Sequence, residues 1–152
     1  MFNRILVPID FSPPSDAALN YARLLAAQFG ASLHLLHVID DPSASNAFVG
    51  DSYAPLTENI RELTLKESRA RLQQQLSGAD RFRFHVTTDA LIGVPATAIV
   101  DYALSTGADL IVMGTHGRTG VQHLLLGGVA EEVARHAPCP VFTVRSGAAA
   151  AA

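Results

Sequence analysis

Apolar positions along this chain keep two rhythms, and they alternate. Phe2 to Ile9 is a short, nearly continuous apolar run of branched residues closed by Pro8 and Asp10, as a strand buried on both faces reads. Ser12-Pro13-Pro14 predicts a helix start, with Ser12 or Ser15 as cap and proline in the first turn. Ala18, Tyr21, Ala22, Leu25 and Phe29 then recur at helical spacing, and Gly30 stops the helix. Ser32 to Ile39 predicts a second strand. Asp40 to Pro55 is rich in Asp, Ser, Pro, Asn and Gly, a long loop of the kind that serves as a lid or moves.

Leu56 to Leu76 predicts a helix with Leu56, Ile60, Leu63, Leu72 and Leu76 inward. Glu62–Lys66 and Glu67–Arg71 fall at i,i+4 spacing, read as a solvated face. Gly78-Ala-Asp is a turn, and Arg81 to Thr87 alternates as an edge strand does. Gly93-Val-Pro95 opens a helix with Ala96, Ile99, Val100 and Ala103 inward, closed by Gly107. Leu110 to Met113 is a strand, about Gly128 to His136 a helix, and Val141 to Arg145 a last strand.

Strands alternating with helices imply βαβ units, a parallel sheet and one α/β domain. The expected architecture is a doubly wound open sheet of five parallel strands, order 3-2-1-4-5, with helices on both faces. Residues 1–146 form the domain, and 147–152 an alanine-rich tail expected to be disordered or an expression remnant. Open parallel sheets bind ligands outside the carboxyl ends of their strands, where the strand order reverses. With this order the reversal brings Pro8-Ile9-Asp10 to Met113-Gly114, about a hundred positions away.

Composition narrows the classes. A chain of 152 residues is the size of one domain. It buries roughly 70% of its unfolded surface without help from metals or disulfides. The net charge of −3, with Lys66 the only lysine and the arginines scattered, is not the footprint of a nucleic-acid binder. No apolar run approaches the roughly 20 residues that span a bilayer, and no secretory signal is visible. A lone cysteine, Cys139, fits a reducing compartment, and a cytoplasmic protein is expected.

The candidate chemistry lies between Met113 and Val129. Gly114-Thr-His-Gly117 follows a strand, and Gly127-Gly128-Val129 leads into a helix. Glycines let backbone approach a ligand, and a helix start offers N–H groups to a phosphate. Such glycines also serve as plain turns. The spacing of Gly114, Gly117 and Gly127 resembles the nucleotide loop of the universal stress protein family. Asp109-Leu-Ile-Val-Met-Gly114, His136-Ala-Pro-Cys-Pro140 and Ile5-Leu-Val-Pro-Ile-Asp10 carry the resemblance from Arg4 to Arg145. Gly128 departs from it, since ATP-binding members carry a hydroxyl residue there.

The resemblance implies a Rossmann-like, adenine nucleotide alpha hydrolase-like fold. It implies an adenine nucleotide (ATP, ADP or AMP) with Mg²⁺, and a sensor or regulator in a stress response. Asp10 would meet the ribose or the metal, beside the Pro8-Ile9 backbone. Val38 would pack on adenine, and Met113 would line the base pocket. Gly114 and Gly117 would wrap phosphates, while Gly127, Gly128 and Val129 would present N–H groups to the phosphate tail. His116 and Arg118 could neutralise phosphate. Each has a plainer reading: Asp10 as a cap, Val38 and Met113 as core, Gly127-Gly128 as a turn, His116 and Arg118 as solvated.

Competing signatures are missing from the chain. It lacks Gly-x-x-x-x-Gly-Lys-Ser/Thr and has no Gly-x-Gly-x-x-Gly after the first strand. His34 and His37, three apart on a strand, point to opposite faces. His116 and His123 lack a nearby ligating partner, and Cys139 lacks a local His-acid pair. No catalytic residue is assigned, and any ATP hydrolysis should be slow and incidental. The resemblance also implies a homodimer through strand 141–145. The alternative is a stress protein of this fold that binds no nucleotide and acts as a dimeric protein-interaction module.

Overall fold

The computed structural model describes residues 1–41, 57–115 and 128–145, together with Gly147. The elements run β1 (Arg4–Pro8), α1 (Pro13–Phe29), β2 (Ser32–Asp40), α2 (Glu58–Gln73), α3 (Gly78–Arg83), β3 (Thr87–Gly93), α4 (Pro95–Thr106), β4 (Leu110–Gly114), α5 (Gly128–His136) and β5 (Val141–Val144). The five strands form one parallel sheet in the expected order, β3-β2-β1-β4-β5.

The period-two alternation of the strands splits the core into two layers. Ile5, Val7, Leu33, Leu35, Leu110 and Val112 point to one face, where α1 contributes Ala18 and Ala22 and α2 contributes Leu72. Leu6, Leu36, Ile111 and Met113 point to the other, under Ile99 and Ala103 of α4 and Ala130 and Val133 of α5. Helices therefore cover both faces, and β1, central in the sheet, is buried throughout from Ile5 to Pro8.

Helix ends follow local chemistry. Pro13 and Pro14 open α1, and Gly30 and Gly107 close α1 and α4 with left-handed φ of 68° and 65°. The amino-terminal rim of the sheet is laced by Asp109, whose carboxylate accepts from the backbone N–H groups of Asn3 (2.8 Å) and Arg4 (3.0 Å). The Asp109 N–H in turn donates to the Arg4 carbonyl, and the Arg4 guanidinium donates to the Thr106 carbonyl at the end of α4.

Two expectations need correction. The edge strand expected over 81–87 is instead helix α3 followed by a strand that begins at Thr87. Ser77 caps α3 by accepting from the Asp80 N–H at 3.1 Å, and Arg23 pairs with Asp80 at 2.6 Å. Local capping and a tertiary ion pair thus override the alternation, whose Phe82 lies exposed while Phe84 is buried. On α2 Leu72 faces the core as read, but the first two turns present other residues. Ile60 and Leu63 are 47% and 57% exposed, while Leu65, Ser68 and Leu72 face the core. Glu67 and Arg71 are exposed, as a solvated face requires, and both also border the cavity described below. Residues 42–56, including Leu56 and most of the expected lid, lie outside the described residues, as do 148–152 of the expected tail.

Candidate functional site

A cavity of about 660 Å³ opens at the carboxyl ends of the strands, where the order reverses between β1 and β4. Pro8, Ile9 and Asp10 border it from β1, and Met113, Gly114 and Thr115 from β4. Val38 borders it from β2, and Gly128 and Val129 from the start of α5. The two segments expected to converge therefore do so. His116, Gly117, Arg118 and Gly127 lie outside the described residues.

Asp10 sits at the turn out of β1. Its carboxylate accepts from the Ser12 backbone N–H at 3.0 Å and from the Ser12 hydroxyl. That is an Asx turn, which holds the carboxylate at the cavity rim by short-range bonds. Ser12 is the residue before α1 proper, yet its side chain turns back to Asp10 and makes no cap bond to the helix. Ser15, the other expected cap, donates its hydroxyl to the Ser12 carbonyl at 3.0 Å.

Gly114 and Gly128 are glycines for different reasons. A Cβ on Gly114 would meet the backbone and ring of Pro14 at 2.8–3.0 Å, so close packing of α1 on β4 excludes any side chain. A Cβ on Gly128 would have nothing within 4 Å among the described residues. An α-helix leaves its first four N–H groups without intrahelical partners. The residues that carry them in α5 begin with Gly128, Val129 and Ala130, all bordering the cavity.

The opposite wall comes from α2, which the sequence reading did not place here. Thr64, Glu67, Ser68 and Arg71 line it, with Phe11 from the β1 turn and His37 from β2. Phe11 has a left-handed φ of 63°. Its ring lies 4.7 Å from the His37 ring, and the Arg71 guanidinium carbon stands 3.8 Å over its centroid. His37 Nδ1 is 2.7 Å from the Ile9 carbonyl. No residue pattern announces a left-handed phenylalanine. The Glu67–Arg71 spacing was visible, but not that this exposed flank of α2 borders the cavity.

The charge balance of the rim is acidic. Asp10, Asp40 and Glu67 stand against Arg71 among the described lining residues, His37 apart. Among the described residues no three His, Cys, Asp or Glu side chains gather to hold a metal by themselves. The lining thus offers main-chain donors on the α5 side, carboxylates at the rim, and apolar contacts from Val38, Ile99 and Met113.

Comparison with known proteins gives a consistent picture. The model of the Universal stress protein family matches residues 1–145. The universal stress protein MJ0531 of Methanocaldococcus jannaschii is 37% identical over 95% of this chain and 83% of its own length. The universal stress protein YxiE of Bacillus subtilis is 34% identical over 95% of this chain and all of its own. Among solved structures, universal stress protein UspA from Lactobacillus plantarum superposes with a TM-score of 0.73 at 27% identity, covering 95% of this chain and 98% of that one. More distant universal stress proteins solved in complex with cAMP (24% identity, TM-score 0.61) and, from Archaeoglobus fulgidus, with dAMP (18%, 0.54) share the fold, each over 95% of this chain and 98% of its own. With the sheet order, the rim at the β1–β4 reversal and these matches in agreement, the chain belongs to the universal stress protein family.

Proposed function

We propose that this cavity binds an adenine nucleotide (ATP, ADP or AMP) with Mg²⁺, and that the chain acts in the cytoplasm as a sensor or regulatory module of a stress response. The observation that carries this reading is the convergence of Asp10, Met113 and the Gly128-Val129 helix start on one cavity. Its volume lies within the range typical of small-molecule sites, roughly 300–1,000 Å³. Val38 and Met113 supply an apolar surface for the base. Asp10 meets the ribose or the metal, with the Pro8-Ile9 backbone beside it. The N–H groups at Gly128 and Val129 take the phosphate tail. Gly114, Gly117 and Gly127 keep the loop roles that the family implies, and His116 and Arg118 offset phosphate charge.

Mg²⁺ follows from the rim's own charge. A polyphosphate brought against Asp10, Asp40 and Glu67 needs a hard cation, and carboxylate and phosphate oxygens are the ligands Mg²⁺ prefers. The complexes of distant relatives with cAMP and dAMP agree with the ligand class, although their likeness carries the fold alone. Binding is the function, and hydrolysis is incidental to it.

Titration calorimetry with ATP, ADP and AMP in the presence of Mg²⁺ tests the reading. Heat and a stoichiometry near one per chain are expected, and silence with all three nucleotides rejects it. Silence would favour the second reading, a dimeric interaction module, for which the missing hydroxyl at Gly128 speaks. Either way we infer a homodimer through β5. Its outer edge pairs with no other strand of the described sheet, and Phe142 is 42% exposed on it. Light scattering at micromolar concentration should return twice the chain mass.

A further inference from the structure

We propose that Arg71 is a second anion-contacting residue of the cavity, placed on the α2 side by a stack of rings and directed at a phosphoryl group. The assignment rests on the nucleotide reading for its usual ligand, yet it draws on observations outside the family's loop. The guanidinium lies 3.8 Å over the face of Phe11. Phe11 is itself held at a left-handed φ of 63°, a conformation that costs a bulky residue energy and survives only where the surroundings enforce it. The enforcement is visible: the Phe11 ring packs on His37, and His37 is fixed by the Ile9 carbonyl. A guanidinium held over a ring face by a cation–π contact can still donate its N–H groups to an oxyanion.

Charge partners point the same way. Arg23, Arg61, Arg69 and Arg135 each face a carboxylate within 4 Å. Among the described residues Arg71 has no such partner, although Glu67 sits one turn away on the same cavity wall. It is also the only lysine or arginine among the described lining residues. Among the described lining residues, one guanidinium held over a ring and without a carboxylate partner in an otherwise acidic rim suits an anion. The phosphoryl group can come from the nucleotide itself or from free phosphate.

The experiment compares the wild type with Arg71→Ala and Arg71→Lys by calorimetry, using AMP with Mg²⁺ and, separately, inorganic phosphate, each at several salt concentrations. Arg71→Ala should weaken AMP about three- to tenfold, the scale of one exposed charged contact, and flatten the salt dependence. Lysine keeps the charge but not the planar, multidentate donor set, so it should restore only part of the affinity. Loss of phosphate binding with AMP unchanged would support the assignment with free phosphate as the source. If the alanine variant binds both ligands like the wild type, or weakens AMP with an unaltered salt slope, the assignment is overturned. A wild type that binds phosphate through Arg71 but no nucleotide would sink the functional reading alone, and one that binds neither would sink both.

Discussion

A Cβ placed on Gly114 would stand 2.8 Å from the Cβ of Pro14, well inside van der Waals contact. The second residue of α1 is thus pressed against the last residue of β4. Gly114→Ala must push α1 away from the sheet or bend β4. Overpacking of this kind costs about 1–3 kcal/mol. Urea denaturation should show a loss of that size with an unchanged m-value. A variant as stable as the parent would mean the contact relaxes freely.

Gly128 presents the contrasting case. Open space around its Cβ among the described residues means that serine can be accommodated without displacing any of them. A hydroxyl at the start of α5 adds a donor to an anionic ligand, a contact worth about 1.5–3 kcal/mol. Gly128→Ser should therefore tighten ATP with Mg²⁺ by roughly ten- to a hundredfold in calorimetry, and should tighten AMP less. Equal affinity for parent and variant would show that the phosphate tail lies elsewhere.

His34, on β2, gives the fold a pH dependence. Burial lowers its pKa, and the nearby Arg4 guanidinium lowers it further. Its Nδ1 is buried with no hydrogen-bond partner among the described residues. The folded state therefore prefers the neutral ring, while the unfolded chain protonates near the ordinary histidine value of about 6.5. The stabilisation is complete above that value and is lost as pH falls below it toward the folded value. The urea midpoint should drop from pH 7.5 to pH 5 by more in the wild type than in His34→Leu. Parallel curves would remove His34 as a cause.

Cys139 should be a slow thiol. Burial raises its pKa, and Asp109 raises it further, so the thiolate is scarce at neutral pH. Alkylation by iodoacetamide at pH 7.5 should run slower in the native protein than in urea. The native rate should still be climbing at a pH where a free thiol has levelled off. A native rate equal to the unfolded one would contradict this placement.

Much of this architecture was legible in the chain because local and global signals agree. The strand runs at Ile5–Val7 and Leu110–Met113 are apolar on both faces, and Gly30 and Gly107 sit where a helix must end in a left-handed residue. The convergence of Asp10 with Met113 and Gly114 followed from the expected strand order. The α3 region was misread because Arg81 to His85 imitates a strand, while the features that decide it are a serine cap and an ion pair to Arg23. The α2 wall of the cavity was missed for a related reason. Glu67 and Arg71 are exposed, as their charge suggests, and nothing in the sequence says that this exposed flank of α2 also borders the cavity. Phe11 carries no signal at all in sequence, because its backbone conformation is imposed by neighbours distant along the chain.

The lacing of Asn3 and Arg4 to Asp109 fastens the beginning of the chain at the rim of the sheet remote from the cavity, where Met1 is 96% exposed. Between them runs the length of β1, on the order of 16 Å at the usual rise per residue. A linker or affinity handle joined to Met1 therefore leaves the ligand's doorway facing outward. Immobilised by that end on a sensor surface, the protein would present its recognition edge to the flowing solution, whereas attachment after β5 would crowd the strand that we infer pairs with a second copy.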